Sequence, residues 1–392
     1  MHGLGAHGLG AHLTLVARSA APDGLDGTGS AQNGPMHPFQ RAPFIVFWEM
    51  TRACGLVCKH CRAEASPSRS QWELDTAEAE ELLDSIAAMG TPVVVLTGGD
   101  PAQRDDLVHL VRYGTALGLH MALTPSATPL LTVDLVEELA DAGLARLAIS
   151  IDGTDAATHD AFRGFPGTFD ASLEILKAAR RLGLTTQVNT TITPSNLHQL
   201  GDFEAMLTDL DIQLWAVFFV VPTGRAATAW VLSPEAAEIA AEELADIAER
   251  ARFDVKTTAA PHFRRTLIQR KVEKQLVKGV TDGIGRARRG VNDGSGIAFV
   301  SHVGHVYPSG FLPVHCGDVR QPGGLAAIYR HHPTFQQLRD PDQLQGKCGD
   351  CPFKRVCGGS RARAFAMTGD PMAADPLCAY QPPMPAPKRN SA

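Results

Sequence analysis

Between residue 44 and about residue 250, short apolar runs alternate with longer segments whose apolar positions recur at helical spacing. The runs at 44–49, 93–97, 119–124, 146–152, 185–192 and 214–221 predict strands. The segments at 76–89, 105–117, 132–142, 170–182 and 197–207 predict helices, several closing on Gly90, Gly118, Gly143 or Gly183, where a left-handed cap favours glycine. Six β-α units imply a parallel sheet, and right-handed crossovers curl such a sheet into a partial barrel that collects ligands at the carboxyl ends of its strands. The fold class expected is α/β, a partial (β/α)6 barrel of TIM type, within residues 36–250. A seventh helix at 234–252 closes this region.

Near residue 255 the rhythm stops. A basic stretch with Arg264, Arg265, Arg270, Lys271, Lys274, Lys278, Arg286, Arg288 and Arg289 marks residues 251–295 as a linker region. An expected hairpin at 297–301 and 305–308 opens a small cysteine-rich C-terminal domain, 296–381, followed by a Pro-rich tail, 382–392. Residues 1–35 carry two copies of His-Gly-Leu-Gly-Ala and few large apolar groups, so they are expected to be a disordered low-complexity tail.

Composition acts mainly by exclusion. The 392 residues are 44% hydrophobic and 20% charged, and 36 Lys and Arg against 42 Asp and Glu leave a net charge of −6. No basic excess favours a phosphate backbone, so no nucleic-acid partner is expected. The longest unbroken apolar stretch, 214–221, is far short of the roughly 20 residues that span a bilayer. The run at 13–17 is too short for a secretory signal core of about 7–15 residues. Neither membrane nor export is expected, and a cytoplasmic location, where thiols stay reduced, is.

The cysteines carry the chemistry. Cys54, Cys58 and Cys61 fall within one short loop after the first strand, and Cys348, Cys351, Cys357 and Cys378 gather near the C-terminus, with Cys316 apart. Disulfides and structural zinc are the bland readings of such groups. Zinc takes four ligands, whereas three thiolates on a four-iron cluster leave one iron open to a further ligand. The second group has four thiols, a complete cage for zinc or for a cluster. The second strand ends in Gly98-Gly99-Asp100-Pro101, where glycines let a ligand approach the backbone and a carboxylate can pair with an amine.

The Cys-x3-Cys-x2-Cys loop after the first strand, His60 as the aromatic residue before the third Cys, and Gly-Gly-Asp-Pro at the second strand end resemble the radical S-adenosylmethionine (SAM, AdoMet) enzymes over residues 44 to about 225. The resemblance implies that Cys54, Cys58 and Cys61 hold a [4Fe-4S] cluster whose open iron takes the amino and carboxylate groups of AdoMet. It places Gly98, Gly99 and Asp100 at the methionyl amine, although the family more often has Glu at the Asp100 position. It also places Ser150, Arg163 and Val220 at the ribose, carboxylate and adenine. No catalytic side chain is implied beyond the cluster and AdoMet, which together yield a 5′-deoxyadenosyl radical that abstracts substrate hydrogen. An electron donor such as flavodoxin or ferredoxin is implied as partner.

The spacing Cys-x2-Cys-x5-Cys with a distant fourth Cys resembles the SPASM or twitch domains of this family, which implies an auxiliary [4Fe-4S] cluster on Cys348, Cys351, Cys357 and Cys378. Arg361 stands where the full SPASM pattern has another Cys, so one auxiliary cluster is expected, two clusters in all, with Cys316 unligated. The segments Cys357-Gly-Gly-Ser-Arg-Ala-Arg-Ala364 and Val221-Pro-Thr-Gly-Arg225 resemble the branch that makes haem by an alternative route or makes haem d1. That implies a tetrapyrrole propionate as substrate and oxidative decarboxylation as reaction, with His262, Arg264, Arg265, Arg361 and Arg363 available to grip carboxylates. Radical modification of a ribosomal peptide or another small molecule is the alternative. A non-catalytic zinc or iron-sulfur protein is the alternative of another class.

Overall fold

The computed structural model describes residues 39–273 and 290–383. The N-terminal repeats, most of the Pro-rich tail, and Lys274, Lys278, Arg286, Arg288 and Arg289 lie outside the described residues. Six strands form on the apolar runs: β1 (Ile45–Glu49), β2 (Val93–Thr97), β3 (His120–Leu123), β4 (Arg146–Ser150), β5 (Thr185–Ile192) and β6 (Leu214–Phe219). They pair in parallel and in sequence order. The crossovers are α1 (Thr76–Ala88), α2 (Leu107–Ala116), α3 (Val133–Asp141), α4 (Ala156–Arg163) with α5 (Thr168–Arg181), and α6 (Leu200–Asp209), with α7 (Pro234–Arg250) after β6. Polar side chains fix their starts. In α1 the Asp75 carboxylate accepts from the Glu78 N–H at 2.9 Å while Glu78 accepts from the Asp75 N–H at 3.1 Å, a reciprocal cap.

Paired residues of parallel strands share a face. Val46, Trp48, Val94, Leu96, Met121, Leu123, Leu147, Ile149, Val188, Trp215 and Val217 face the helices and make the main core. The register therefore turns Phe47, Thr97, Ala148, Ser150, Gln187, Asn189, Ala216 and Phe218 to the inner face of the partial barrel.

The rhythm continues where the sequence pattern ends it. Strand β7 (Asp254–Thr258) pairs in parallel with β6, and α8 (His262–Glu273) follows within the segment expected to be a linker. Its sequence, Asp-Val-Lys-Thr-Thr, is only half-buried at the sheet edge, so no apolar run announces it. The C-terminal hairpin, β8 (Ile297–Val300) and β9 (His305–Tyr307), forms as expected, and β8 then joins the barrel sheet beside β1, Ile45 opposite Ile297. With β10 (Gly317–Asp318) the sheet has ten strands in the order β10-β9-β8-β1-β2-β3-β4-β5-β6-β7. Four short helices complete the fold: α9 (Gly324–His331), α10 (Pro333–Leu338), α11 (Gly346–Asp350) and α12 (Arg361–Thr368). Among the described residues no helix is long and apolar enough to cross a membrane.

Candidate active site and cofactor centres

The three-cysteine loop leaves β1 and lies across the carboxyl ends of the neighbouring strands. Its base is closed by the Cys54 N–H on the Ser66 carbonyl and the Ser66 N–H on the Arg52 carbonyl, both at 2.9 Å. From β2, the N–H groups of Gly99 and Asp100 donate to the carbonyls of Thr51 at 2.8 Å and Ala53 at 2.7 Å. A Cβ on Gly98 would stand 2.5 Å from the Thr51 oxygen, and one on Gly99 2.4 Å from the Ala53 oxygen. The side of each glycine that lacks a Cβ is thus spent on the cysteine loop. From the end of β6, Gly224 (φ +58°) and Arg225 close the other flank. Arg225 donates through its backbone to the Cys61 carbonyl at 3.1 Å and through Nε to the Cys58 carbonyl at 3.0 Å.

The sulfurs meet donors inside this frame. Cys54 Sγ lies 3.5 Å from Ser126 Oγ and accepts from the Leu56 N–H at 3.3 Å, and Cys61 Sγ accepts from the Ala65 N–H at 3.5 Å. Arg163 Nη1 approaches Cys58 Sγ to 4.0 Å. Burial raises the Cys54 and Cys58 thiols above their ordinary range, more than Ser126 and Arg163 lower them.

Asp100 is held by protein donors. Fully buried, its carboxylate accepts from Thr128 Oγ1 at 2.6 Å and from the N–H groups of Ala102 and Ser126 at 3.2 and 3.3 Å. With the shorter side chain it ties the end of β2 to the segment that carries Ser126, and through Ser126 to Cys54. Arg163, by contrast, is drawn inward at the end of α4, only 13% exposed, and pairs with fully buried Asp152 at 2.6 Å. His60 stacks on Phe162 at 4.3 Å, beside Trp230, and burial lowers its pKa to about 4, so its ring is neutral at pH 7. Ser150 ends β4 on the inner face, opposite Asn189 of β5. Val220 is buried just beyond β6, and its carbonyl accepts from Arg363 Nε at 3.2 Å.

Three neighbours stand outside the site residues that the sequence implies. Asp152 holds Arg163, and Asn189 shares the inner face with Ser150. Glu49, at the end of β1, is 1% exposed and meets Arg62 at 2.9 Å, His302 at 3.0 Å and Arg52 at 3.4 Å. Burial alone would raise its pKa, but these three hold it at about 2. The one signal available was an acidic residue ending an otherwise apolar strand.

At the C-terminal group, Cys348, Cys351, Cys357 and Cys378 line one pocket together with His262, Arg265 and Asp375. Cys348 Sγ accepts from the Asp375 N–H and Cys357 Sγ from the Gly359 N–H, both at 3.4 Å. Burial pushes the Cys357 thiol up to about 12. Among the described residues no three His, Cys, Asp or Glu side chains stand close enough to share a single metal ion. Buried polar atoms without partners gather at the two cysteine groups. His60 Nδ1, Arg163 Nε and Arg225 Nη2 surround the loop, and both ring nitrogens of His262 and Arg265 Nε border the pocket.

A model of the Radical SAM superfamily matches residues 48–209. The AdoMet-dependent heme synthase of Oleidesulfovibrio alaskensis is 40% identical over 368 residues, covering 93% of this chain and 94% of the relative. This chain belongs to the radical SAM superfamily, in its haem-synthesis branch. It is therefore an enzyme, and the family's cofactors are AdoMet and a [4Fe-4S] cluster. The PqqA peptide cyclase of Rhodopseudomonas palustris is 32% identical over 87% of this chain and 88% of its own length. Streptococcus suis SuiB, solved with S-adenosylmethionine, superposes with a TM-score of 0.67 at 17% identity, covering 86% of this chain and 77% of that one, which shows the shared radical SAM fold.

Within this radical SAM chain the four arginines expected as carboxylate grips hold protein partners. Arg363 and Asp375, both fully buried, pair at 3.2 Å, and Arg363 also donates to the Ala259 carbonyl at 2.6 Å. Arg265 binds Glu238 at 2.5 Å, and Arg264 donates to the carbonyls of Val291 and Val356. Arg361 donates to the carbonyls of Pro371 at 2.8 Å and Ala373 at 2.7 Å, with Nη2 3.8 Å from Cys348 Sγ. Its place in the pattern brings a cation, in place of a thiol, beside that sulfur. Cys316 is buried away from the pocket and donates to the Val314 carbonyl at 3.3 Å.

Proposed function

We propose that the chain converts propionate side chains of an iron tetrapyrrole during haem formation, in the cytoplasm, with reducing equivalents from a flavodoxin or ferredoxin. The observation that carries the reading is the near end-to-end match to a heme synthase at 40% identity. Cys54, Cys58 and Cys61 are proposed to hold the cluster that binds AdoMet, and the unpartnered atoms of His60, Arg163 and Arg225 support an absent polar group there. AdoMet bound at that cluster supplies the hydrogen-abstracting radical chemistry of the family, for which the barrel provides position and exclusion of water. The backbone of Gly98 and Gly99 flanks the methionyl end, Arg163 is aimed at its carboxylate, Ser150 at the ribose, and His60 and Val220 at the adenine. Asp100 acts by bracing the loop.

Cys348, Cys351, Cys357 and Cys378 are proposed to hold one auxiliary [4Fe-4S] cluster. Four thiols lining one pocket match the ligand count of a four-iron cluster, and N–H groups aimed at two of the sulfurs suit an anionic cluster. Turning a propionate into a vinyl group removes a hydrogen atom, CO2 and one further electron; a second cluster would supply the acceptor for that electron.

Peptide modification is the second reading, favoured by the 32% identity to a peptide cyclase. Anaerobically reconstituted protein, given AdoMet, dithionite and Fe-coproporphyrin III, the porphyrin in another relative's name, should form haem with one 5′-deoxyadenosine per propionate lost. Changing Cys54, Cys58 and Cys61 together to Ala should abolish both products. AdoMet cleavage with the porphyrin left unaltered would reject the tetrapyrrole reading and favour a peptide.

A further inference from the structure

One wall of the auxiliary pocket is the first turn of α8, from which His262 and Arg265 face the four cysteines. His262 opens that helix, is 1% exposed, and has no hydrogen-bond partner at either ring nitrogen. Its charged neighbours are taken: Arg265 by Glu238, Asp375 by Arg363, and Lys347 by the Cys378 carbonyl. Phe219 stands perpendicular to the ring at 5.5 Å and brings no nitrogen or oxygen acceptor to that side. A buried N–H without an acceptor costs about 1–3 kcal/mol, so an occupant of the pocket is the natural acceptor. The groups this pocket presents around its centre are sulfurs.

We propose that His262 is a hydrogen-bond donor to the auxiliary site, its ring N–H directed to a sulfur of the cluster held by Cys348, Cys351, Cys357 and Cys378. It acts as a positioning and tuning residue and not as an iron ligand, because four thiolates already complete the iron coordination. An N–H on sulfur withdraws electron density from the cluster, favours its reduced form and raises its potential. The inference rests on the auxiliary-cluster reading above, though not on the identity of the substrate.

The test is an EPR-monitored redox titration of full-length, anaerobically reconstituted protein without substrate. His262→Phe keeps a flat ring and removes the N–H. It should shift the auxiliary cluster's reduction equilibrium at least tenfold towards the oxidised form, which is 59 mV for one electron. Iron should stay near eight per chain, two four-iron clusters by ligand count. The AdoMet-binding cluster should titrate as before, and His262→Gln, which retains an N–H, should lie between. An unmoved potential with full iron overturns the proposal, and loss of about four irons makes His262 a ligand and overturns it too. Wild-type protein with about four irons overturns the auxiliary-cluster reading itself, and this inference with it. A measurement independent of variant folding is pulsed EPR of wild-type protein labelled with 15N-histidine. Weak imidazole coupling to the auxiliary cluster is expected, and either the strong coupling of a direct Fe–N bond or none at all refutes the assignment.

Discussion

Glu49 shows how much one side chain contributes to the floor of the site. Its carboxylate is held near 2 against an ordinary 4.5, so its ion pairs contribute stability at pH values above about 4.5, and that contribution is lost as pH falls towards 2. The shift corresponds to about 3 kcal/mol. Chemical denaturation of the metal-free chain should find Glu49→Gln less stable than wild type by roughly that amount at pH 7, with the gap shrinking steadily between pH 5 and pH 2. A gap independent of pH would mean that Arg62, His302 and Arg52 do not act through charge. At this scale the sequence is legible where spacing carries information. Cys54, Cys58 and Cys61 are brought onto one loop, and Arg163 is turned into it. It is illegible where the outcome depends on which donors are already consumed. Asp100 satisfies itself on Thr128 and Ser126, and Arg361 on the carbonyls of Pro371 and Ala373, partners that no motif encodes.

Elements of the fold act on the site through their ends. Helix α4 delivers Arg163 at its last residue, and its first turn is fixed by Asp155, whose carboxylate accepts from the Thr158 N–H at 2.8 Å. Asp155→Ala should cost about 1 kcal/mol in thermal or chemical unfolding. It should also weaken AdoMet binding several-fold, measured by equilibrium dialysis, because a frayed α4 no longer aims its terminal guanidinium. Unchanged AdoMet affinity would separate α4 from the site. The strands β1 to β6 were readable from their apolar runs, whereas α4 and β7 were not. Eight residues with Phe162 as the one large apolar side chain give α4 no clear apolar stripe, and β7 sits at an edge where alternate residues need not be buried. β7 carries the barrel beyond residue 250 by pairing its backbone with the outer side of β6.

Across the whole molecule, two contacts weld the C-terminal cysteine region to the barrel. The first is Arg363, which reaches from α12 to Asp375 beside the auxiliary pocket and to the carbonyls of Phe219, Val220 and Ala259. Arg363→Met leaves Asp375 charged and buried without its partner and should cost about 3–5 kcal/mol, read as a lowered denaturation midpoint. A loss below about 1 kcal/mol would show the pair to be dispensable. The second contact is β8 against the open side of β1. It gives the fold a timetable. Ile45 leaves the ribosome early and finds Val93 soon after, but its other neighbour, Ile297, emerges only after about 250 more residues, roughly 10–50 s later at 5–20 residues per second. Throughout that interval one edge of β1 stands bare, and the loop with Cys54, Cys58 and Cys61 hangs from its end. The seam beneath the first metal site is thus the last part of the barrel to close during synthesis, and iron delivered before the chain is finished meets a floor with one side still missing.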